Sequence, residues 1–158
     1  MSTLTEVHTV QTLDIRKETL IAASPEIAFA ALVEELGEGG QMPDGKPYPF
    51  TLETWPGGRW FRDLGEAGGH KYGHLWGHVQ VIKAPTLLEI CGPLMMSYPA
   101  TNFIQYRLIA EGTSTRLTLV HRAVGLIPVE HREGMNKGWE FKIGRVVEIA
   151  QRRASTRR

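Results

Sequence analysis

The sequence predicts an α+β fold in which a curved antiparallel sheet of about seven strands wraps around a long C-terminal helix, with a shorter helix after the first strand. Short turns join most of the strand-like segments, which favours antiparallel pairing. Apolar residues recur every three or four positions near the C-terminus, which indicates an amphipathic helix. A chain of 158 residues has the length of one domain, so that helix must bury its apolar stripe against the sheet.

The N-terminal part is predicted to form a strand and then a helix. Residues 13–22 are rich in Ile, Thr and Leu and alternate in part, which is typical of a strand. Ser24 is suited to the N-cap of the helix, and Pro25 at its first position loses no hydrogen bond. Apolar residues recur up to Leu36, and the glycines that follow end the helix.

The middle of the chain is predicted to be a series of strands. They cover residues 50–55, 59–64, 72–83, 87–91, 103–110 and 115–123. Turn-forming residues such as Pro56-Gly57-Gly58 separate them. The strand 72–83 alternates two sets of side chains, and the sequence leaves open which set points inward.

The last predicted helix covers residues 133–153. Its apolar residues share one face because they are spaced by three or four positions: Met135, Trp139, Ile143, Val146 and Ala150. We therefore predict a single domain over residues 13–153, preceded by a flexible N-terminal segment (1–12) and followed by a basic C-terminal tail (154–158).

Composition narrows the classes of partner and the compartment. The formal net charge is +1 and both signs are spread along the chain, which argues against nucleic acid as a partner. The single cysteine, Cys91, excludes an internal disulfide and fits a reducing compartment. Because the sequence contains no membrane-spanning apolar run and no signal-peptide pattern, we expect a cytoplasmic protein without membrane insertion.

The order of several short motifs resembles a known superfamily. They are the turn Trp55-Pro56-Gly57-Gly58-Arg59-Trp60, the strand opening Tyr72-Gly73-His74, the break Lys83-Ala84-Pro85, and Gly138-Trp139 in the last helix. Over residues 13–151 they resemble the START-like superfamily called SRPBCC, and most closely its branch named after the activator of the heat-shock chaperone ATPase. The resemblance implies a helix-grip fold with a cavity between helix and sheet. Members bind lipids, sterols, plant hormones or polyketides, and some are cyclases.

A small apolar ligand, such as a lipid or polyketide, is therefore the predicted partner. We expect the cavity wall to come from the last helix, the inner sheet face and residues 94–99, whose methionines suit a lid. The same segment also fits a homodimer contact, and the sequence leaves both open. The predicted ligand-binding residues are Trp60, Trp76, Met95, Met96, Tyr106, Leu119, His121, Trp139, Ile143 and Val146.

His121 is the one candidate for acid–base chemistry. It follows Leu117 and Leu119 with strand periodicity, so it is predicted to point into the same space. Buried histidines are more often hydrogen-bonded core residues than bases, so we favour a binding protein over an enzyme. The alternative is a cyclase- or aromatase-like enzyme with His121 as general base beside Tyr106 or Glu140.

The remaining histidines do not predict a metal site. His74 and His78 lie near two glycines that disfavour a helix, and in a strand they would be about 13 Å apart. The sequence has no nucleophile elbow and no phosphate loop, so we expect neither a metal nor a cofactor. A further alternative, implied by the resemblance, is regulation of a chaperone ATPase by protein binding.

Overall fold

The computed structural model describes residues 3–156 of the chain. Within them the elements are β1 (Gln11–Ile21), α1 (Pro25–Leu36), β2 (Thr51–Leu52), β3 (Arg59–Ala67), β4 (His70–Lys83), β5 (Leu87–Gly92), β6 (Ala100–Glu111), β7 (Ser114–Gly125) and α2 (Val129–Thr156). The strands form one antiparallel sheet in the order β1-β7-β6-β5-β4-β3-β2. The predicted helix-grip fold is confirmed.

The first helix begins with the predicted cap. Ser24 Oγ accepts a hydrogen bond from the backbone N–H of Ile27 at 3.3 Å, and Pro25 occupies the first turn. At the other end, the carbonyl of Leu36 accepts a hydrogen bond from Trp60 Nε1 at 2.7 Å. A carbonyl that the helix itself leaves unpaired is thus satisfied by β3, which fixes α1 to that strand.

The last helix is longer than predicted at both ends. Its first turn is exposed, so the apolar pattern that predicts the helix starts only at Met135. The buried stripe consists of Met135, Trp139, Ile143, Val146, Ile149 and Ala150. The helix includes residues 154–156, whereas Arg157 and Arg158 of the predicted basic tail lie outside the described residues. No helix within residues 3–156 is both long and apolar enough to cross a membrane.

Strand β4 departs from simple alternation at two β-bulges. Trp76 is an extra residue in its pairing with β3, and Gln80 is an extra residue in its pairing with β5. A bulge changes the face on which the following side chains lie. Trp76 and Val79 are therefore both buried although they are three positions apart, which neither face of an alternating strand predicts.

Strand β2 is shorter than the predicted 50–55. Beyond Leu52 the chain is held by Glu53, whose carboxylate accepts hydrogen bonds from the Arg59 backbone N–H at 2.8 Å and from its guanidinium at 2.8 and 2.9 Å. These bonds lower the pKa of Glu53 to about 2. The predicted Pro56–Gly58 turn is thus closed by these side-chain bonds together with a backbone hydrogen bond of 2.9 Å from the Glu53 N–H to the Arg59 carbonyl.

Candidate functional site

A partly enclosed pocket of about 520 Å³ lies between the N-terminal half of α2, strands β3 and β4, and two connecting segments. One segment follows α1 and leads to Phe50, and the other is the lid segment, residues 93–99, between β5 and β6. The apolar side chains that line the pocket include Phe50, Trp60, Trp76, Leu94, Met95 and Trp139. This volume falls within the range of small-molecule sites, about 300–1,000 Å³.

An aromatic cluster forms the sheet side of the pocket. The ring centroid of Phe50 lies 5.1 Å from that of Trp60 and 4.7 Å from that of Trp76, and the two indoles are 5.3 Å apart. The N–H of Trp60 is bound to Leu36, and that of Trp76 donates to His74 Nδ1 at 2.7 Å. Because both N–H groups have protein partners, the rings offer mainly carbon surface to the pocket.

The predicted site residues fall into two groups. Trp60, Trp76, Met95 and Trp139 line the pocket. The remaining predicted residues are buried and do not line the pocket: Met96, Tyr106, Leu119, His121, Ile143 and Val146. In the lid segment, Met95 is 53% exposed whereas Met96 is only 6% exposed, so these neighbouring side chains face opposite sides of the segment.

His121 belongs to a buried hydrogen-bond relay made of Trp139, His121 and Asn102. The indole N–H of Trp139 donates to His121 Nδ1 at 2.9 Å, and His121 Nε2 lies 2.7 Å from Asn102 Oδ1. Because an indole N–H can only donate, Nδ1 must accept and Nε2 must carry the proton. Burial lowers the pKa of His121 to about 4, which keeps the ring neutral near pH 7.

This arrangement leaves His121 without a free lone pair for proton abstraction. Both ring nitrogens are engaged, and the ring lies behind Trp139 rather than in the pocket wall. Glu140 does not approach it: its carboxylate pairs with Lys17 of β1 at 3.1 Å and is 64% exposed. Within the described residues, the chemistry of His121 is therefore that of a structural hydrogen-bond partner.

Asn102 connects the relay to the lid segment. Its side-chain N–H group lies 3.2 Å from the carbonyl oxygen of Gly92, and 3.4 Å from the Met96 sulfur. On the far side, Tyr98 Oη and His131 Nδ1 of α2 are joined by a hydrogen bond of 2.5 Å. The lid segment is thus fastened to β6 at one point and to α2 at another.

Lys142 is the most buried charged residue of the pocket wall, and it lies at the inner end of the pocket. Lys142 Nζ lies 3.1 Å from Glu35 Oε1 and 5.7 Å from the centroid of the Phe50 ring. The Glu35 side chain is 1% exposed and that of Lys142 is 20% exposed. Burial raises the pKa of Glu35, although the charges of Lys142 and Arg145 act in the opposite direction.

Two glycines make part of the α2 side of the pocket. Gly134 and Gly138 both line it, and a Cβ atom added to either would meet no atom within 4 Å. A glycine inside a helix costs about 1 kcal/mol relative to alanine. Neither close packing nor a positive φ requires glycine at these positions, so its effect here is to keep space open in front of the helix.

Sequence reasoning missed Phe50, Lys142 and these two glycines as parts of the site. A signal was present for the glycines, because two of them four residues apart in an otherwise helical pattern lie on one face and weaken the helix. Phe50 and Lys142 gave no such signal, since their contact joins residues far apart in the chain.

The remaining candidate groups do not form a reactive site. Cys91 Sγ donates to Gln80 Oε1 at 2.6 Å, and burial raises the pKa of its thiol, which disfavours the nucleophilic thiolate. Among residues 3–156, His, Cys, Asp and Glu side chains form no group of three or more that could hold a metal ion.

Solved structures share this fold at low sequence identity. An uncharacterized protein from Rhizobium leguminosarum aligns with a TM-score of 0.70 at 14% identity, over 93% of this chain and 99% of that chain. The di-domain ARO/CYC protein StfQ from the steffimycin biosynthetic pathway aligns with a TM-score of 0.65 at 11% identity, over 92% of this chain and 51% of its own. Ara h 8.0201 aligns with a TM-score of 0.64 at 11% identity, over 89% and 99%. The sequence matches no family model and no curated protein.

Proposed function

We propose that this protein binds a small apolar molecule in the pocket between α2 and the sheet. The observation that carries the proposal is the indole wall: Trp60, Trp76 and Trp139 line one pocket of about 520 Å³, and each donates its N–H to a protein partner. Water molecules find few hydrogen-bond partners on such a wall. An apolar solute that displaces this water is therefore stabilised by burial, at about 25 cal/mol per Å² of apolar surface.

The fold is compatible with this proposal but does not decide it. StfQ, which has this fold, belongs by its description to a biosynthetic pathway, so a role in handling small molecules has a precedent in the architecture. Unrelated functions nevertheless occur on one fold, so the support comes from the pocket itself.

Binding without catalysis fits the geometry better than a cyclase-like reaction with His121 as general base. A general base must reach the proton that it removes, directly or through one water. His121 instead accepts from Trp139 and lies next to Asn102, outside the pocket wall.

Regulation of a chaperone ATPase is a separate alternative. It depends on the motif order of the heat-shock ATPase activator branch, and no contact within residues 3–156 favours it over pocket binding. Adding the purified protein to a chaperone and measuring the rate of ATP hydrolysis tests it, and an unchanged rate removes it.

The pocket proposal is tested by filling the space in front of Gly138. The neutral fluorescent probe N-phenyl-1-naphthylamine should bind the wild-type protein, and Gly138→Leu should weaken its affinity at least tenfold because the new side chain occupies the pocket. Gly144→Leu is the matched control, since Gly144 is also an exposed glycine of α2 with no atom near its Cβ position, but it lies outside the pocket wall.

Both leucines should raise the free energy of unfolding by about 1 kcal/mol through helix propensity, which urea titration measures. A loss of probe binding in Gly138→Leu therefore cannot be assigned to unfolding if that gain is observed. Equal probe affinity in the two variants, or no probe binding to the wild-type protein, would overturn the proposed function.

A further inference from the structure

The geometry points to one class of ligand: an amphipathic molecule with a single carboxylate, which pairs with Lys142 while the apolar body lies along Gly138 and Gly134. This inference rests on the proposed function and names the ligand class of the same pocket. Its basis is the charge pattern along the pocket, which is otherwise lined mainly by apolar side chains.

The inner end of the pocket carries an excess of buried positive charge. Glu35 is nearly fully buried and pairs with Lys142, and the charge of Arg145 acts on the same carboxylate. Arg145 is held beside the end of α1 by a hydrogen bond of 3.3 Å from Nη2 to the Gly39 carbonyl. Glu35 thus has Lys142 as its ion-pair partner, with Arg145 as a second cation nearby.

Arg145 has one further acidic partner, which neutralises it only weakly. Glu148 lies 3.1 Å from Arg145 Nη1, but its side chain is 68% exposed and its charge is screened by solvent. In addition, Arg145 Nε is buried without a hydrogen-bond partner among the described residues. A second carboxylate near this end would meet uncompensated positive charge.

Lys142 has the capacity to bind that carboxylate. An ammonium group has three donors, and the bond to Glu35 uses one of them. The Lys142 side chain keeps 20% of its surface exposed and lines the pocket. A hydrogen bond between two charged groups in such a partly buried site is stronger than one between neutral groups.

The positions along α2 fix the direction of the ligand. Gly134, Gly138 and Lys142 follow at intervals of four residues, so they form one stripe along the helix of about 12 Å. Glu130 precedes Gly134 in this stripe, at the end near the lid segment. Lys137 also lines the pocket, but it is exposed, so solvent screens its charge more than that of Lys142. A carboxylate is therefore attracted mainly by Lys142 and repelled by Glu130, and the bare backbone between them leaves room for the apolar body.

The test measures how three ligands of equal chain length displace N-phenyl-1-naphthylamine at pH 7.5. Decanoate should bind at least tenfold more tightly than decanol, and decylammonium should bind more weakly than either. In the double variant Glu35→Gln/Lys142→Met, the preference for decanoate over decanol should fall to threefold or less, because Arg145 keeps its charge but does not line the pocket. The double change is needed because removal of Lys142 alone would leave Glu35 buried and unpaired.

The matched control is the double variant Lys17→Met/Glu140→Gln. It removes an ion pair of the same length, 3.1 Å, between β1 and α2, outside the pocket wall. This control variant should keep the tenfold preference for decanoate over decanol. Circular dichroism with heating establishes that both double variants are folded.

Each outcome bears on a different claim. If wild-type protein binds decanoate and decanol equally, or if Glu35→Gln/Lys142→Met keeps the preference, the inference fails while binding of the neutral probe leaves the proposed function standing. If neither the probe nor any of the three ligands binds, the proposed function fails and this inference fails with it.

Discussion

The two halves of α2 face the same sheet but are built differently. In the C-terminal half, Ile143, Val146 and Ile149 are each at most 9% exposed and fill the core beside α1. In the N-terminal half the stripe contains only Met135 and Trp139, and Gly134 and Gly138 flank it without side chains. The pocket lies beside the N-terminal half alone. The space of the pocket is therefore left open by the absence of side chains at Gly134 and Gly138, in addition to the curvature of the sheet.

The largest expected effect is the loss of stability when a buried side chain is truncated in each half of α2. Ile149→Ala should lower the free energy of unfolding by about 4 kcal/mol, because a fully packed site cannot close around the cavity that it leaves. Met135→Ala should lower the free energy of unfolding by about 2 kcal/mol or less, because Met135 already borders the pocket and its removal creates less new cavity. Urea unfolding of both variants measures the difference, and equal losses would contradict the comparison.

The second effect concerns the relay, which lies where the two halves meet. The pKa of His121 is about 4 in the folded protein and near 6.5 in the unfolded chain. Between these values the unfolded chain binds more protons, so stability is complete above pH 6.5 and falls as the pH is lowered towards 4. The full loss corresponds to about 3 kcal/mol. Urea midpoints at several pH values between 7 and 4 measure it.

A variant assigns that acid sensitivity to His121. In His121→Gln, the amide oxygen can accept from Trp139 and the amide N–H can donate to Asn102, but the side chain does not titrate. The free energy of unfolding of the wild-type protein minus that of the variant should therefore fall by about 3 kcal/mol from pH 7 to pH 4. The raised pKa of Glu35 makes its contribution to the free energy of unfolding fall as the pH rises above about 4.5. Because this contribution is the same in both proteins, it cancels in the difference. A constant difference would show that His121 does not control the acid response.

The smallest effect tests whether the glycines are required by packing. Alanine at Gly134, Gly138 or Gly144 should raise the free energy of unfolding by up to about 1 kcal/mol at each position, because the added Cβ meets no atom within 4 Å. Thermal unfolding of the three single variants measures the gains. A loss of stability at either of the first two positions, with a gain at Gly144, would mean that the empty pocket rejects even a methyl group.

Much of the fold could be predicted from local patterns. The Ser24 cap, the turns around glycine and proline, and the stripe from Met135 to Ala150 are each encoded within a few residues of one another. The β4 bulges could not be predicted, because the placement of Trp76 depends on its register with neighbouring strands.

The site was less predictable than the fold. The pattern indicated that His121 points inward, and it is fully buried, but only the folded chain brings Trp139 and Asn102 to its two nitrogens. The pair formed by Glu35 and Lys142 joins residues 107 positions apart, so no spacing in the sequence reveals it.

The two methionines of the lid segment differ in their expected sensitivity to oxidation. Met95 is exposed and lines the pocket, so an oxidant such as hydrogen peroxide should convert it to the sulfoxide first. Met96 is shielded, and its sulfur lies 3.4 Å from the Asn102 amide nitrogen. Oxidation of Met95 places a polar S=O group in the mainly apolar pocket wall while the relay stays intact. Oxidation should therefore weaken binding of N-phenyl-1-naphthylamine before it lowers the free energy of unfolding, and a methionine sulfoxide reductase should restore that binding.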